Sequence, residues 1–234
     1  MIYTHKPDDK RGVNKMMTIV MIDVEAGKED LFERIHDKYK ELRDWPLLRQ
    51  VKLLYMDRCY THTDINMMFD VKDFESLPRI FTEFLLGMDG VWDLQIIQLF
   101  APNFFKIPKY VDLESWGRFT VTLDVKSDKT ESVFKYLRDF AATDEAAITF
   151  LAYTFYSYQN DIIFTLLAPD MKSAGKFVDD KIRPIDGVID SVIWEIEKSQ
   201  FAIPHEEWIK YINYYRKGDL DDEEVFDDAF ICGC

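Results

Sequence analysis

Two short polar turns carry residue types that can hold a small molecule. One contains His62 and Asp64, and the other contains Gln159, Asn160 and Asp161. An Asp at the tip of a turn commonly accepts hydrogen bonds from nearby backbone N–H groups, which is a structural role. The same carboxylate could instead hold a ligand amine or hydroxyl where two subunits meet. The two turns are therefore predicted as a ligand-binding site, with the structural role as the alternative.

Two further acids, Asp23 and Asp124, stand in predicted strands that have one apolar and one mixed face. If the mixed face lines a cavity, burial would raise the pKa of these carboxyl groups and suit them to act as bases. The alternative is a carboxylate in a hydrogen-bond network at the end of a strand. Aromatic residues such as Tyr55, Trp92 and Trp116 could wall an apolar pocket or pack in the core. We add both acids to the predicted ligand site and predict no catalytic residue and no metal site.

The composition excludes several classes of protein. The chain has 234 residues, of which 47% are apolar, so it can bury a sizeable core. It carries 29 Lys and Arg against 43 Asp and Glu, a net charge of −14. Because an acidic surface repels phosphate backbones, nucleic-acid binding is not expected.

The cysteines and the apolar runs bear on location. Cys59, Cys232 and Cys234 have no disulfide-framework spacing, which is typical of a reducing compartment. No apolar run is long enough to cross a membrane, and the first 15 residues lack the apolar segment of a secretory signal. We predict a cytoplasmic protein without membrane association.

The chain contains an internal repeat. The segment Met88–Asp93 is matched 97 residues later by Ile185–Asp190, and each segment contains Asp-Gly-Val. The same offset aligns 51–104 with 148–201 without a gap, and apolar positions match throughout. A repeat of this length predicts two copies of one unit.

Each copy predicts the order strand, helix, strand, strand, helix, strand. In copy one, Leu31, Ile35 and Tyr39 fall on one helical stripe, and Gly90 suits the end of the second helix. The predicted strands are 18–24, 51–59, 65–71 and 94–99 in copy one, and 119–125, 148–158, 162–167 and 191–196 in copy two. This βαββαβ order is ferredoxin-like and belongs to the α+β class. Its sheet has helices on one side only, so the bare face needs a cover from the other copy or another chain.

The second copy resembles a known family. The run Lys181-Ile182-Arg183-Pro184-Ile185-Asp186-Gly187-Val188, followed by the strand Asp190–Ile196, is similar to the end of the effector-binding (RAM) domain of the Lrp/AsnC regulators. The resemblance implies two tandem ferredoxin-like units in a dimeric α/β-barrel-like arrangement with a metabolite site.

Two features depart from that family. About 16 polar residues precede the first strand, too few for the family's DNA-reading helix-turn-helix. Where the family has Gly-x-Tyr-Asp, this chain has Thr61-His62-Thr63-Asp64 and Tyr158-Gln159-Asn160-Asp161, so only the Asp is retained.

These patterns predict four segments: a polar arm 1–16, a first unit 17–109, a second unit 117–204, and a helix with an acidic tail 205–234. The predicted function is binding or sensing of a small-molecule effector, such as an amino acid, by a homo-oligomer without a cofactor.

Two alternatives stay open. One is a dimeric α/β-barrel enzyme, either a cofactor-free oxygenase or a tetrapyrrole-related enzyme. Since residues 63–204 contain no His, the usual haem ligand in the second copy is missing. The other is a module that binds a protein partner through the C-terminal tail.

Overall fold

The computed structural model describes residues 16–42, 44–60, 65–143, 145–154 and 161–216. Within these ranges, antiparallel strands close into one eight-stranded barrel. The strands are β1 Met16–Val24, β2 Val51–Cys59, β3 Ile65–Val71, β4 Val91–Phe104, β5 Gly117–Val125, β6 Ile148–Thr154, β7 Ile162–Ala168 and β8 Val188–Phe201. The helices are α1 Leu31–Glu41, α2 Leu77–Ile80, α3 Thr130–Ala141, α4 Met171–Phe177 and α5 His205–Arg216, with 3-10 turns at Pro46–Arg49 and Phe74–Ser76. The predicted α+β class with an antiparallel sheet is confirmed.

The barrel joins the two halves of the chain along two seams. Its strand order is β1-β3-β2-β8-β5-β7-β6-β4, with β4 returning to β1. Strands β2 and β8 pair along one seam, and β4 and β6 pair along the other. The inner face of each four-stranded half is therefore covered by the other half.

Side-chain alternation on the strands separates three cores. On β1, Val20 and Ile22 pack outward under the helices of the first half. Met17, Ile19 and Met21 point to the barrel interior. The second half has its own outer core beneath α3 and α4. Period-two patterns in the sequence place the helices outside and leave a mixed inner surface.

Strands β4 and β8 are longer than their patterns predict. The prediction for β4 was 94–99, and the strand spans Val91–Phe104 because its far end pairs with β6 of the other half. Likewise β8 extends to Phe201 because its last residues pair with β2. Pairing with strands of the other half therefore makes β4 and β8 longer than the segments predicted from their alternating residues.

Irregular features recur at matching places in the two halves. Helices α2 and α4 each run into a π-helical turn, Phe81–Leu85 and Val178–Ile182. Each is followed by a glycine with positive φ, +99° at Gly90 and +107° at Gly187. The two halves thus share their backbone details as well as their order of elements.

The last helix lies against the barrel interior. Trp208, Tyr211 and Ile212 of α5 belong to the inner core. None of the helices in the described part of the chain is long and apolar enough to span a membrane.

Candidate active site

A cavity of about 250 Å³ opens at one end of the barrel, where β2, β5 and β6 begin and β8 ends. Most of its wall is apolar. The apolar lining residues are Tyr55, Phe104, Ile107, Leu113, Trp116, Phe150, Leu167, Ile196, Phe201 and Trp208. An apolar cavity with a few converging polar groups is the usual form of a small-molecule site.

The converging polar groups form a hydrogen-bonded network across the β2–β8 seam. Ser199 Oγ donates to Asp57 Oδ1 at 2.6 Å. Arg118 Nη1 donates to Ser199 Oγ at 2.6 Å, and Arg118 Nη2 lies 3.4 Å from Asp57 Oδ2. Asp57 and Ser199 are direct register partners on β2 and β8, while Arg118 comes from β5. The pairing of two strands from different halves therefore assembles the network.

The three members of this network have different access to the cavity. Arg118 and Ser199 line it. Asp57 lies behind them, 4% exposed, and lines a second cavity of about 20 Å³ toward the barrel interior. That inner space is large enough for one water molecule. Asp57 can thus exchange a proton with the main cavity through Ser199.

Opposing effects act on the Asp57 carboxyl group. Burial is the largest and raises its pKa, while the positive charge of Arg118 and the hydrogen bond from Ser199 lower it. The net result is a raised pKa, which suits a general base better than an ordinary Asp would. Tyr55, beside it, has a pKa raised mainly by burial and stays protonated.

Other charged groups at the rim are paired with each other. Lys198 Nζ lies 3.1 Å from Glu33 Oε1. Arg58 makes two hydrogen bonds of 2.6 Å to the carboxylate of Glu197. Within this network the Arg118 guanidinium forms an ion pair only with Asp57, at 3.4 Å. It can therefore also bind an anionic or carbonyl oxygen of a ligand.

The predicted ligand site lies elsewhere. Asp23 and Asp124 are near the ends of β1 and β5, whereas the cavity lies where these strands begin. A nine-residue strand makes that separation roughly 20 Å. Asp161 is also at the far end, where its Oδ2 accepts a 2.7 Å hydrogen bond from the Val125 N–H, a structural contact.

The remaining predicted site residues, His62, Asp64, Gln159 and Asn160, lie outside the described residues. Of the aromatic residues considered for a pocket wall, Tyr55 and Trp116 do line the cavity. Trp92 does not, since it is 75% exposed on the surface.

Sequence reasoning missed Asp57, Arg118 and Ser199 because it weighted acids that recur in both copies. At the repeat offsets, Asp57 corresponds to Thr154 and Arg118 to Met17. Asp57 is inside a predicted strand and Arg118 directly precedes one, but Lys52, Arg58 and Asp124 belong to the same strands, so no signal singles the two out.

Comparison with known proteins gives a likeness in fold. No family model and no curated protein matches the sequence. Among solved structures, the siroheme decarboxylase NirDL has a TM-score of 0.55 at 9% identity, covering 87% of this chain and 79% of that one. An anthrone oxidase-like protein has a TM-score of 0.54 at 7% identity, covering 81% and 94%. A candidate monooxygenase from Lactobacillus acidophilus has a TM-score of 0.50 at 11% identity, covering 80% and 96%.

These structures correct the predicted function. The chain was predicted as a metabolite-sensing module of the Lrp/AsnC effector type. That prediction is wrong, because the similar solved structures are a decarboxylase and oxygenase-like proteins. At these identities the likeness itself shows the fold alone. The relation to the Lrp/AsnC family remains a prediction.

A tetrapyrrole, as one of these structures suggests, does not fit the cavity. A space of roughly 150 Å³ holds a single benzene ring, so about 250 Å³ is too small for a macrocycle of four pyrroles. Among the described residues that line the cavity, none is His, Cys or Met, the side chains that most often hold haem iron. Tyr55 is a poor substitute because burial keeps it protonated. We therefore derive no step through such a group.

Proposed function

We propose that the protein is a cofactor-free oxygenase that oxidises a small fused aromatic ketone with an activated CH₂ group, using O₂. The observation that carries this proposal is the Arg118–Ser199–Asp57 network at the edge of a mostly apolar cavity. A fused aromatic molecule of about two rings matches the volume and the aromatic lining. The oxygenase-like neighbours in fold agree with this reaction class.

The reaction begins with proton removal from an activated CH₂ group of the substrate. The proton passes to Ser199 Oγ as the Ser199 hydroxyl proton moves to Asp57 Oδ1, 2.6 Å away. The substrate keeps the electron pair of the broken C–H bond, and its carbonyl oxygen becomes an enolate. The guanidinium of Arg118 stabilises that oxyanion in a water-poor site.

The electron-rich enolate then reduces O₂. One oxygen atom is retained as a new carbonyl and the other leaves as water, so that R₂CH₂ and O₂ give R₂C=O and H₂O. The apolar wall keeps bulk water from protonating the carbanion before O₂ reacts. The electrons come from the substrate, and no other reductant is needed.

An oxygen-electrode experiment tests this function. Purified protein is mixed with bicyclic ketones that carry an activated CH₂ group, such as 2-tetralone and 2-indanone, and O₂ uptake is measured together with the product. The expected result is one O₂ consumed per new carbonyl. Asp57→Asn should lower kcat by about 10²–10⁴-fold, as loss of a general base does. Arg118→Gln should lower it by about 10²–10³-fold, as loss of an oxyanion donor does.

Matched variants separate chemistry from folding. Arg138→Gln removes a cation from the outer surface of α3, and Asp124→Asn removes an inward carboxylate at the opposite end of the barrel. Both should retain the rate of the unchanged protein. Absence of substrate-dependent O₂ uptake across the panel, or full activity in Asp57→Asn, would refute the proposal.

The remaining predictions concern the origin of the two halves and the assembly, location and partners of the protein. We infer that the two halves arose by tandem duplication of a ferredoxin-like unit, supported by equal strand lengths of nine residues in β1 and β5 and fourteen in β4 and β8. Homo-oligomerisation, a cytoplasmic location and the absence of nucleic-acid and membrane partners remain predictions. A protein partner for the acidic tail also remains one, and most of that tail lies outside the described residues.

A further inference from the structure

The mouth of the barrel has two comparable sides, and α5 fills one of them. Tyr211 Oη donates a 2.6 Å hydrogen bond to the buried carboxylate of Asp70. Lys52 forms an ion pair with Glu207 at the start of the helix. Met17 packs in the same inner core as Tyr211. These contacts fix α5 against β1, β2 and β3 of the first half.

The corresponding positions of the second half are those that line the open cavity. Arg118 is the second residue of β5, as Met17 is of β1. Leu167 is the sixth residue of β7, as Asp70 is of β3. The cavity is therefore the second half's side of the mouth, and α5 occupies the equivalent space in the first half.

Trp208 is the α5 residue at the border between the filled and the open side. It lines the cavity and is itself only 3% exposed. Its ring meets Tyr55 edge-on at 5.4 Å and Phe104 edge-on at 5.7 Å, and a third ring, Phe201, lies 5.7 Å away. Rings from β2, β4 and β8 thus hold the indole, which limits its freedom to turn aside.

We propose that Trp208 is the specificity-determining residue of the cavity and sets the largest ring system that it accepts. The inference rests on the proposed function only in taking an aromatic molecule as the ligand. Removing the indole vacates a space larger than a benzene ring, and a dry apolar cavity of roughly 150 Å³ binds benzene. Beyond Trp208 the new space is walled by α5 and the first half.

Binding of two probes of different size tests this proposal without requiring turnover. The probes are 1-naphthol, with two rings, and 1-hydroxypyrene, with four. Dissociation constants are measured by fluorescence titration for the unchanged protein, Trp208→Ala and Trp208→Phe. The unchanged protein should bind naphthol at least tenfold more tightly than hydroxypyrene. Trp208→Ala should lower the Kd of hydroxypyrene at least tenfold, and Trp208→Phe should give an intermediate ratio.

The control is Trp45→Phe, which removes an indole from the outer core of the first half and should leave the ratio of the two Kd values unchanged. If Trp208→Ala does not fold, as judged by circular dichroism, the ratio in Trp208→Phe decides. An unchanged ratio in the folded Trp208 variants, or no binding of either probe, overturns the proposal. If the Kd ratio changes in the Trp208 variants but no O₂ uptake is found, Trp208 still limits ligand size and the oxygenase proposal is refuted. If O₂ uptake is found but the Kd ratio is unchanged, the oxygenase proposal stands and the role of Trp208 is refuted.

Discussion

At the scale of single residues, the chemistry depends on how Asp57 is held. Its carboxylate is removed from water by the barrel, and this burial favours the protonated acid. The Arg118 guanidinium at 3.4 Å and the Ser199 hydroxyl favour the anion. A base needs to be ionised yet still attract a proton, and this balance of effects meets both conditions.

The pH dependence of kcat/KM should report this balance. Activity requires ionised Asp57, so it should fall as the pH drops through the pKa of Asp57, which lies above its ordinary value of 3.8. Because the charge of Arg118 lowers that pKa, Arg118→Gln should move the acid limb to higher pH as well as reduce the rate. Arg118→Lys keeps the charge and should move the limb less. An acid limb at the same pH in the unchanged protein and in Arg118→Gln would exclude Asp57 as the base.

At the scale of elements, one glycine follows the second helix of each half. Gly187 has a φ of +107°, and a Cβ built on it would lie 2.4 Å from the Lys129 Cβ. Gly90 has the same conformation beside Lys28, at 2.8 Å. Both places combine a backbone that disfavours side chains with a close approach to the loop before the first helix of that half. Each glycine allows the chain to turn from this helix into β4 or β8, the strands that pair with the other half.

Replacement of Gly187 should therefore destabilise the barrel. We expect Gly187→Ala to lower the free energy of unfolding by about 1–3 kcal/mol, through backbone strain and the contact with Lys129. Gly175 in α4 is the matched control, because a Cβ there would have nothing within 4 Å. Gly175→Ala should be neutral or stabilise by up to about 1 kcal/mol, as expected of a helical glycine. Urea unfolding measures both, and equal losses in the two variants would contradict the argument.

At the scale of the whole molecule, neither half has a complete sheet surface by itself. The inner face of each four-stranded sheet is buried by the other half through the β2–β8 and β4–β6 seams. The inner core draws side chains from both halves and from α5. Loss of packing in one half therefore exposes the inner surface of the other.

Unfolding should accordingly be one cooperative transition. Leu53→Ala in β2 and Leu137→Ala in α3 each remove a fully buried side chain, one from each outer core. Each should cost about 2–5 kcal/mol and shift the same single transition. Far-ultraviolet circular dichroism and tryptophan fluorescence should give coincident urea curves. Two separated transitions, with one variant affecting only one of them, would show that the halves fold independently.

Much of the architecture follows from local pattern. Alternation along 119–125 marks a strand with two unlike faces, the β-rich run 18–24 marks its counterpart, and the stripe from Leu31 to Tyr39 marks a helix. Gly90 and Gly187 mark helix ends, because few other residues adopt positive φ. Patterns of this kind depend on neighbours within a few residues, so the sequence alone determines them. The same alternation places Tyr55 on a strand where it could line a pocket.

The candidate active site was decided by tertiary structure alone. Asp57 and Ser199 are 142 residues apart, and they meet because β2 and β8 pair in one particular register. A period-two pattern tells which face a residue occupies, but not which distant strand it will lie beside. The position of α5 is of the same kind, since an amphipathic helix could pack on many surfaces. The hydrogen bond from Tyr211 to Asp70 holds α5 on the first half's side of the mouth, and the second half has Leu167 in place of Asp70. Only the tertiary structure shows which side stays open.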